Sequence, residues 1–298
     1  MRRFKTNVLT SFDGTQIHYE SSGDGFPLVC CNGIGVSTFF WSYFRRHFSA
    51  DHRIVLWDYR GHGKSGVPSD HARTSIQDIC RDLKLVLDDE GVDHAVFLGH
   101  SMGVQVIFEF YRMYPDLVAG LVPVCGSYGR PFDTFLGSSF MHWLFPFVYH
   151  FGNNVPQLAG SIWKTILYPP LAFQVARLGF VNHCMAPRDD FDKYFEHLGS
   201  LDFRTFVNMA RYMKDHTCED ILPDVAAPTL IVAGEHDNFT PHHLSEQMAR
   251  LLPDGELFTI RGGSHAALVE QPDLMNLKIE QFLSKKVKTN GVREAQAV

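Results

Sequence analysis

Short apolar runs alternate with helical stretches over the first 124 residues of the chain. Residues 8–10 and 16–19 flank a turn at Asp13-Gly14, a pattern that predicts an antiparallel hairpin at a sheet edge. Buried strands are predicted after it, separated by helices whose apolar residues recur every three or four positions. The predicted strands are 28–31, 53–57, 95–98 and 118–124, and the predicted helices are 41–48, 75–87 and 104–111.

The same alternation resumes late in the chain. Strands are predicted at 229–233 and 256–260, with a helix at 244–252 between them and a last helix at about 274–283. Strands that alternate with helices favour right-handed crossovers and a parallel sheet covered on both faces. The fold class is therefore α/β.

The segment from 129 to 214 breaks this pattern. It is helical in character and holds 18 of the 39 aromatic residues of the chain. We expect it to form a helical cap subdomain whose aromatic side chains mostly pack its own core, while some line a pocket towards the sheet. The predicted domains are a core of residues 1–128 and 215–284, a cap of 129–214 and a flexible tail of 285–298.

Charge and cysteine usage narrow the functional class. The net charge of −6 gives no basic surface for nucleic acid, so we predict no nucleic-acid partner. The most apolar long stretch, 132–151, is interrupted by Asp133 and Pro146, so no integral membrane segment is predicted. Cys30 and Cys31 would point to opposite faces of a strand. None of the six cysteines forms a C-x-x-C pair, which favours reduced thiols and a cytoplasmic location.

The most informative motif is Gly99-His100-Ser101-Met102-Gly103. It follows one predicted strand and opens a helix. Glycines two residues before and after a serine allow the strand and the helix to pass closely while the backbone of the serine is strained. Ser101 would then project above the carboxyl edge of the sheet at a helix N-terminus. We predict that Ser101 is a nucleophile.

A serine hydroxyl needs a base to accept its proton. The predicted base is His265, in Gly262-Gly263-Ser264-His265, because it follows the carboxyl end of a strand, where catalytic groups gather in open parallel sheets. The main competitors among the 16 histidines are His62, His100 and His243. His100 adjoins Ser101, but its side chain should leave the turn in another direction.

The base also needs a carboxylate that orients it. Asp237, in Gly234-Glu235-His236-Asp237, follows the strand at 229–233, and the order Ser, Asp, His suits this architecture. We prefer Asp237 to Glu235 because Glu235 lies nearer the end of the strand. His236, His242 and His243 lie close by in sequence, but their spacing matches no known metal motif, so no metal is predicted.

Acyl transfer also requires N–H donors for the oxyanion. One predicted donor is the backbone N–H of Met102. The other is the backbone N–H of Ile34, in the glycine-rich loop Asn32-Gly33-Ile34-Gly35 after the strand at 28–31. Gly61-His62-Gly63-Lys64-Ser65 looks like a phosphate-binding loop, but Asp58 stands where such a loop needs a glycine. Asp58 and Arg60 are instead expected to hold a hydrogen-bonded loop beside the site.

These motifs, in this order, resemble the α/β-hydrolase superfamily. The resemblance spans nearly the whole chain apart from the cap and rests on Asn32-Gly33-Ile34-Gly35, 58–65, 99–103, 234–237 and 262–265. It implies a mostly parallel eight-stranded sheet flanked by helices, with the cap inserted after the sixth strand at Val118–Val124. It also implies an acyl-enzyme mechanism without a cofactor.

Two departures from the pattern of relatives refine the prediction. Many relatives have His-Gly where this chain has Asn32-Gly33, and we expect Asn32 to bond locally and preserve the loop. Haloalkane dehalogenases and epoxide hydrolases of this fold carry an aspartate at the position of Ser101. The sequence therefore predicts a carboxylic ester hydrolase, similar to carboxylesterases and lipases, for a small hydrophobic ester. A lactonase or C–C bond hydrolase with the same triad, and a non-catalytic ligand-binding protein, are the alternatives.

Overall fold

The structure is a computed structural model, and it describes residues 5–168, 172 and 187–287. Within these residues the chain forms one eight-stranded sheet with helices on both faces. The strands are β1 (Lys5–Thr10), β2 (Gln16–Ser22), β3 (Phe26–Cys31), β4 (His52–Trp57), β5 (Ala95–His100), β6 (Val118–Val124), β7 (Thr229–Gly234) and β8 (Gly255–Ile260).

The helices lie between these strands and after them. They are α1 (Ser42–Phe48), α2 (Ile76–Glu90), α3 (Met102–Met113), α4 (Phe140–Asn154), α5 (Pro156–Ile166), α6 (Arg188–Ser200), α7 (Phe203–Asp215), α8 (His242–Leu251), α9 (Ala267–Glu270) and α10 (Pro272–Lys286). Short 3₁₀ helices occur at Thr38–Trp41, Pro115–Leu117, Pro131–Asp133, Phe135–Gly137 and Glu219–Asp224.

The strand order is β1-β2-β4-β3-β5-β6-β7-β8. β1 pairs with β2, and β2 with β4, in antiparallel fashion, whereas all later pairs are parallel. The predicted edge hairpin and the predicted eight-stranded, mostly parallel sheet are therefore confirmed. Parallel strands place their carboxyl ends at one edge, so the loops after β3, β5, β7 and β8 meet there.

The core consists of two apolar layers, one on each face of the sheet. α2, α3 and α8 cover the face that contains Val29 and Cys31, whereas α1 and α10 cover the face that contains Leu28 and Cys30. The two adjacent cysteines thus point to opposite faces, as predicted. The described cysteines are buried and free, and Cys184 lies outside the described residues. The cytoplasmic location remains a prediction.

The chain between β6 and β7 contains α4 to α7 and lies over the carboxyl edge of the sheet, where its side chains share a cavity with Ser101. The described part of this segment is mainly helical, as predicted from its sequence pattern. Gln105 of α3 ties it to the core by donating from Nε2 to the carbonyl oxygens of Met213 and His216, at 3.0 and 3.1 Å. The domain boundaries at 129 and 214 remain predictions.

The end of the chain continues the last helix beyond its predicted limit. α10 runs to Lys286, two residues past the predicted end of the core at 284. Of the predicted tail, residues 288–298 lie outside the described residues. No helix in the described ranges is long and apolar enough to cross a membrane.

Candidate active site

Ser101 lies on the sharp turn between β5 and α3. Its backbone has φ 56° and ψ −118°, a conformation that residues other than glycine rarely adopt. Two hydrogen bonds hold the turn: Ser101 N–H donates to the Val124 carbonyl oxygen at 3.1 Å, and Val104 N–H donates to the Ser101 carbonyl oxygen at 3.0 Å. The strained backbone directs the hydroxyl into the cavity above the sheet.

The flanking glycines allow this turn because the backbone segments touch each other there. A Cβ on Gly99 would overlap the Gly103 carbonyl group, and a Cβ on Gly103 would overlap the Cys31 carbonyl oxygen. Any side chain at either position would push α3 away from β3 and β5. The structural reason predicted for the two glycines is thus confirmed.

His265 and Asp237 converge on Ser101 from the loops after β8 and β7. His265 Nε2 lies 2.9 Å from Ser101 Oγ, and His265 Nδ1 lies 2.9 and 3.1 Å from the two carboxylate oxygens of Asp237. The three predicted side chains therefore form one hydrogen-bonded chain, although Ser101 and His265 lie 164 positions apart in sequence.

The carboxylate of Asp237 determines which nitrogen of His265 carries the proton. Burial would raise the pKa of Asp237, but the imidazole of His265 and the Thr240 donors hold it below its usual value. Asp237 is therefore ionised and can only accept hydrogen bonds. His265 Nδ1–H then donates to Asp237, which leaves the Nε2 lone pair to accept the Ser101 hydroxyl proton. A hydroxyl in this arrangement can lose its proton as it attacks.

Residues just after Asp237 fix its carboxylate. Phe239 N–H and Thr240 N–H donate to Oδ1 at 2.8 and 2.9 Å, and the Thr240 hydroxyl donates to Oδ2 at 2.8 Å. The Phe239 ring stacks on the His265 ring with centroids 4.8 Å apart. These contacts fix the orientation of the carboxylate and the imidazole relative to each other.

Two acidic residues brace the loop that carries His265. Glu235 Oε2 accepts the Gly262 N–H at 2.8 Å, and the Glu270 carboxylate accepts both the N–H and the hydroxyl of Ser264, at 2.8 and 2.6 Å. Glu235 therefore supports the loop and does not contact the imidazole. The preference for Asp237 agrees with this geometry.

The other candidate histidines lie elsewhere. His100 is buried, and its Nε2 donates to the His265 carbonyl oxygen at 3.0 Å, so its ring supports the base from behind. Burial, together with the neighbouring His265, lowers the pKa of His100 to about 3 and keeps it neutral. His62 belongs to the loop after β4, and His243 is exposed on α8.

The two residues predicted to donate to an oxyanion lie beside the nucleophile. Ile34 and Met102 line the same cavity as Ser101, and a Cβ on Gly33 would lie 3.0 Å from Ser101 Cβ, so the loop after β3 packs against the nucleophile. No described residue accepts a hydrogen bond from the backbone N–H of Ile34 or of Met102. Both N–H groups are thus available to a bound oxygen.

Three residues from neighbouring segments hold the Asn32–Gly35 loop in place. Asn32 donates to the Trp57 carbonyl oxygen at 2.7 Å and accepts from Trp41 Nε1 at 2.9 Å, which confirms the predicted local bonding of this residue. Gly35 N–H donates to His62 Nε2 at 3.0 Å. Burial lowers the pKa of His62 to about 4, so its ring is neutral and can accept this bond.

The loop of residues 58–65 is a hydrogen-bonded brace. Asp58 accepts from the N–H groups of Thr38 and Lys64 at 3.1 and 3.0 Å, and a Cβ on Gly63 would overlap its carboxyl group. A negative carboxylate thus occupies the concave side of the turn that resembled a phosphate-binding loop. Arg60 is buried and forms an ion pair with Asp82 at 2.7 Å.

A cavity of about 680 Å³ opens beside Ser101. Met102, Ile34 and His265 share its wall with helices α4 to α7. No Asp, Glu, Lys or Arg side chain lines it among the residues that the structure describes. Ten aromatic residues of the segment 129–214 do, among them Phe145, Trp163, Tyr194 and Phe206. The cavity therefore suits an uncharged, apolar ligand.

The residues considered for a metal near Asp237 do not converge. His242 Nε2 bonds Thr259 Oγ1 at 2.8 Å, and His236 lies beside Glu235 at the surface. Within the described ranges, the potential ligand atoms of Glu109, His216 and Cys218 do lie within 4.8 Å of one another, away from the cavity wall.

The Glu109 carboxylate of that cluster is already engaged by other side chains. The Glu109 carboxylate contacts His216 Nε2 at 3.1 Å, Gln77 Nε2 at 2.8 Å and the cation of Arg112 at 3.4 Å. Burial raises the pKa of the Cys218 thiol, which keeps it protonated. A cation would have to displace these donors and compete with Arg112, so the cluster fits a structural role.

The sequence interpretation missed several residues that shape the site. These are Thr240 and Phe239, which hold the Asp237–His265 pair, Glu270, which holds the loop of His265, and His62, which holds the oxyanion loop. A signal existed for Thr240, because an Asp whose side chain bonds the N–H groups two and three residues later is a common local turn. The other contacts join loops that are distant in sequence.

Comparison with known proteins agrees with this architecture. Residues 27–272 match a family described as alpha/beta hydrolase fold. The chain is 25% identical to "Epoxide hydrolase 1" of Caenorhabditis elegans, over 95% of this chain and 73% of that protein. It is 28% identical to "Putative carbamate hydrolase RutD" of Azorhizobium caulinodans, over 87% of this chain and 92% of that protein.

Among solved structures, a thermophilic esterase from Thermogutta terrifontis is similar in fold. It superposes with a TM-score of 0.77 at 23% sequence identity, over 95% of this chain and 99% of that chain. At this level of identity the likeness concerns the fold alone.

Proposed function

Because the chain belongs to the alpha/beta hydrolase fold family, we propose that it is a serine hydrolase that cleaves a carboxylic ester of a fairly hydrophobic substrate through an acyl-enzyme intermediate. One observation carries the proposal: Ser101 Oγ lies 2.9 Å from His265 Nε2 on the wall of an apolar cavity. Family membership supports hydrolysis, and the ester substrate and the triad are our proposals.

The first half of the reaction acylates Ser101. His265 Nε2 accepts the hydroxyl proton while Ser101 Oγ bonds to the ester carbonyl carbon, and the carbonyl oxygen becomes an oxyanion held by the Ile34 and Met102 N–H groups. Asp237 stabilises the imidazolium that forms. The C–O bond to the alcohol then breaks as His265 gives its proton to the leaving oxygen.

The second half releases the acid. His265 takes a proton from water, and the resulting hydroxide adds to the acyl carbon of the ester on Ser101. When the tetrahedral intermediate collapses, Ser101 Oγ recovers the proton from His265 and the carboxylic acid leaves. No redox step and no co-reactant other than water is required.

The nucleophile separates this reaction from epoxide opening. Attack of a serine hydroxyl on an epoxide carbon would give an ether, which offers no carbonyl carbon for water to attack. An enzyme of that kind needs a carboxylate nucleophile, whose ester product can be hydrolysed. Ser101 therefore does not support the activity named in the Caenorhabditis elegans relative.

The preference for hydrophobic esters rests on the cavity. Burial of one CH₂ group is worth about 0.8 kcal/mol, which is about fourfold in kcat/KM if the group is buried equally in the transition state. We therefore expect kcat/KM for p-nitrophenyl esters to rise by up to about fourfold per methylene from acetate until the cavity is filled. A preference confined to acetate would refute this part of the proposal.

Lactones, vinylogous diketones and carbamates are the competing substrates, since the same nucleophile can attack their carbonyl carbons. A panel of simple aryl esters, lactones, diketones and a short carbamate separates these reactions by kcat/KM. Ester hydrolysis predicts the highest values for the aryl esters of longer acids. A highest value for any other class would replace the proposed substrate while leaving the mechanism intact.

The mechanism itself is tested by Ser101→Ala with Ser127→Ala as a matched control. Ser127 also lines the cavity, but its hydroxyl donates to the Gly129 carbonyl oxygen at 2.7 Å and lies in no chain with His265. Ser101→Ala should abolish turnover without loss of thermal stability, and Ser127→Ala should retain it. Turnover by Ser101→Ala at the wild-type rate would refute the proposal, and a folded wild-type protein that hydrolyses nothing on the panel would favour a non-catalytic binding protein.

A further inference from the structure

The outer side of α4 and α5 is unusually apolar for a surface exposed to water. Ten of the sixteen exposed large hydrophobic residues in the described ranges lie between residues 140 and 168. Phe147, Trp143 and Phe140 are the most exposed of them, at 74%, 71% and 64%. Single exposed hydrophobic residues are common on protein surfaces, but a contiguous group of them often marks a binding surface. We call the exposed large apolar side chains of residues 140–166 the outer apolar face.

Helical spacing brings these side chains together. On α4 they fall at 140, 143, 144, 147 and 151, and on α5 at 158, 162 and 166. Each set follows a spacing of three or four residues and so forms one stripe along its helix. Phe145 lies outside the stripe of α4 and is buried. The stripe of α4 therefore lies on the outside of the protein, apart from Phe151, whereas the stripe of α5 runs along the rim of the cavity, where Ile162 and Ile166 also line the wall.

Charge is nearly absent from this face. Residues 140–166 contain one charged side chain, Lys164, and no Asp or Glu, although charged residues make up 20% of the chain and about five would be expected in 27 residues. The acidic residues that give the chain its net charge of −6 therefore lie elsewhere. A surface that faces water usually carries more charged residues than this, and so does the rim of a typical protein–protein interface.

The outer apolar face is continuous with the cavity beside Ser101. Phe151, Ile162 and Ile166 line the cavity and are also 39%, 42% and 57% exposed. The rim of the cavity and the edge of the outer face are therefore the same side chains. Trp143 and Phe147 lie on the outer face but not on the cavity wall.

We propose that the outer apolar face docks on the surface of a lipid bilayer and admits an apolar ester from the lipid into the cavity. Hydrocarbon needs no hydrogen-bond partners, and this face offers almost none. Trp143 supplies an amphipathic ring of the kind that sits at headgroup depth, and Lys164 a cation for lipid phosphate. The helices lie on the bilayer in this arrangement and do not span it.

A second copy of the chain is the competing occupant, and continuity with the cavity argues against it. A partner subunit seated on the outer face would also cover Phe151, Ile162 and Ile166 and so restrict the entrance. A lipid surface at the same rim would instead supply the substrate. The docking step stands on the outer face alone, whereas the admission of an ester rests on the proposed function.

Docking is tested with the full chain carrying Ser101→Ala, so that turnover plays no part. The probe is phosphatidylcholine vesicles, alone and with 20% phosphatidylglycerol (about one lipid in five), and the readout is the fraction of protein that sediments with them. Adding Trp143→Glu and Phe147→Glu should weaken vesicle partitioning at least tenfold. The matched control adds Val8→Glu and Leu277→Glu, two residues that are 54% and 52% exposed outside this segment, and should bind as before.

Docking would be refuted if the parent protein sedimented with neither kind of vesicle, or if the control variant were weakened as much as the face variant. It would also be refuted if the parent protein were a dimer in sedimentation velocity without lipid, the face variant were a monomer, and neither protein bound vesicles. Circular dichroism melts of all variants should coincide, because the altered side chains are exposed. With Ser101 intact, the face variant should hydrolyse a soluble short ester at the wild-type rate but a vesicle-embedded ester at least tenfold more slowly. Equal rates on the embedded ester would refute admission from lipid. Failure of the wild-type protein on the soluble ester refutes the proposed function and leaves the docking result standing.

Discussion

Replacement of Asp237 by Asn tests how the imidazole is oriented. Phe239 N–H and Thr240 N–H both donate to Oδ1, so the amide oxygen of Asn can take that position and keep both bonds. The amide NH₂ group then replaces Oδ2, which in the native protein accepts from the Thr240 hydroxyl and from His265 Nδ1. An N–H donor would face the His265 Nδ1–H, and the imidazole would move its proton to Nε2.

A proton on Nε2 blocks the reaction because Nε2 is the atom that must accept the Ser101 proton. In Ser-His-Asp proteases the same exchange lowers kcat by about 10⁴-fold, which corresponds to about 5 kcal/mol of transition-state stabilisation. We expect a loss of this size for Asp237→Asn in kcat for a soluble p-nitrophenyl ester, with a small change in KM. Thermal unfolding followed by circular dichroism verifies that the variant is folded.

Glu235→Gln is the matched control for this prediction. Glu235 is half-exposed and its carboxylate accepts the Gly262 N–H, a bond that a Gln side-chain oxygen can also accept. Its kcat should stay within a few-fold of the wild type. If folded Asp237→Asn kept kcat within tenfold of the wild type, or if Glu235→Gln lost as much, the assignment of the orienting carboxylate would be wrong.

Three further predictions concern the supports of the site. His62→Leu leaves the buried Gly35 N–H without an acceptor, which costs about 1–3 kcal/mol. We expect kcat to fall about tenfold with little change in KM, and His62→Gln to recover part of the loss. Equal rates for His62→Leu and the wild type would show that His62 does not support the oxyanion loop. Burial lowers the pKa of His62 from 6.5 to about 4, so between these values the unfolded chain binds a proton that the folded chain does not. This difference should lower the free energy of unfolding by about 2 kcal/mol between pH 7 and pH 5. Urea unfolding at the two pH values should show a smaller fall in His62→Gln, and an identical fall would contradict the assignment. Gly103→Ala should lower the melting temperature or prevent folding, because the new Cβ would overlap the backbone of Cys31. The control, Gly160→Ala on α5, places its Cβ within 4 Å of nothing and should be neutral or stabilise the protein by up to about 1 kcal/mol. Similar melting temperatures for the two variants would count against the close contact at Gly103.

The sheet was predictable because its strands are short apolar runs bounded by polar turns. The predicted strands and helices of the core all occur, and the errors lie at their ends. α2 continues to Glu90 through Asp88 and Asp89, where the apolar spacing has stopped but backbone hydrogen bonding has not. It ends where Gly91 adopts a left-handed conformation. Apolar periodicity reports the buried stripe of a helix and not its polar last turn.

The candidate site was predictable as far as it depends on strand ends. Ser101, Asp237 and His265 each follow a strand, and parallel strands bring such loops to one edge. His62 and Glu270 were missed as supports because their partners, Gly35 and Ser264, lie in turns whose mutual approach depends on tertiary packing. The apolar character of the cavity followed from aromatic content, whereas the outer apolar face did not, since composition does not distinguish inward from outward stripes.

The proposed reaction depends above all on Ser101 as the nucleophile. Treatment with a fluorophosphonate probe, followed by peptide mass spectrometry, identifies any serine that reacts covalently. We predict one modified serine, Ser101, with labelling abolished in Ser101→Ala and slowed at least 100-fold in His265→Ala, in which no base accepts the proton. Modification of another serine, or labelling of Ser101 that is indifferent to the loss of His265, would contradict the account.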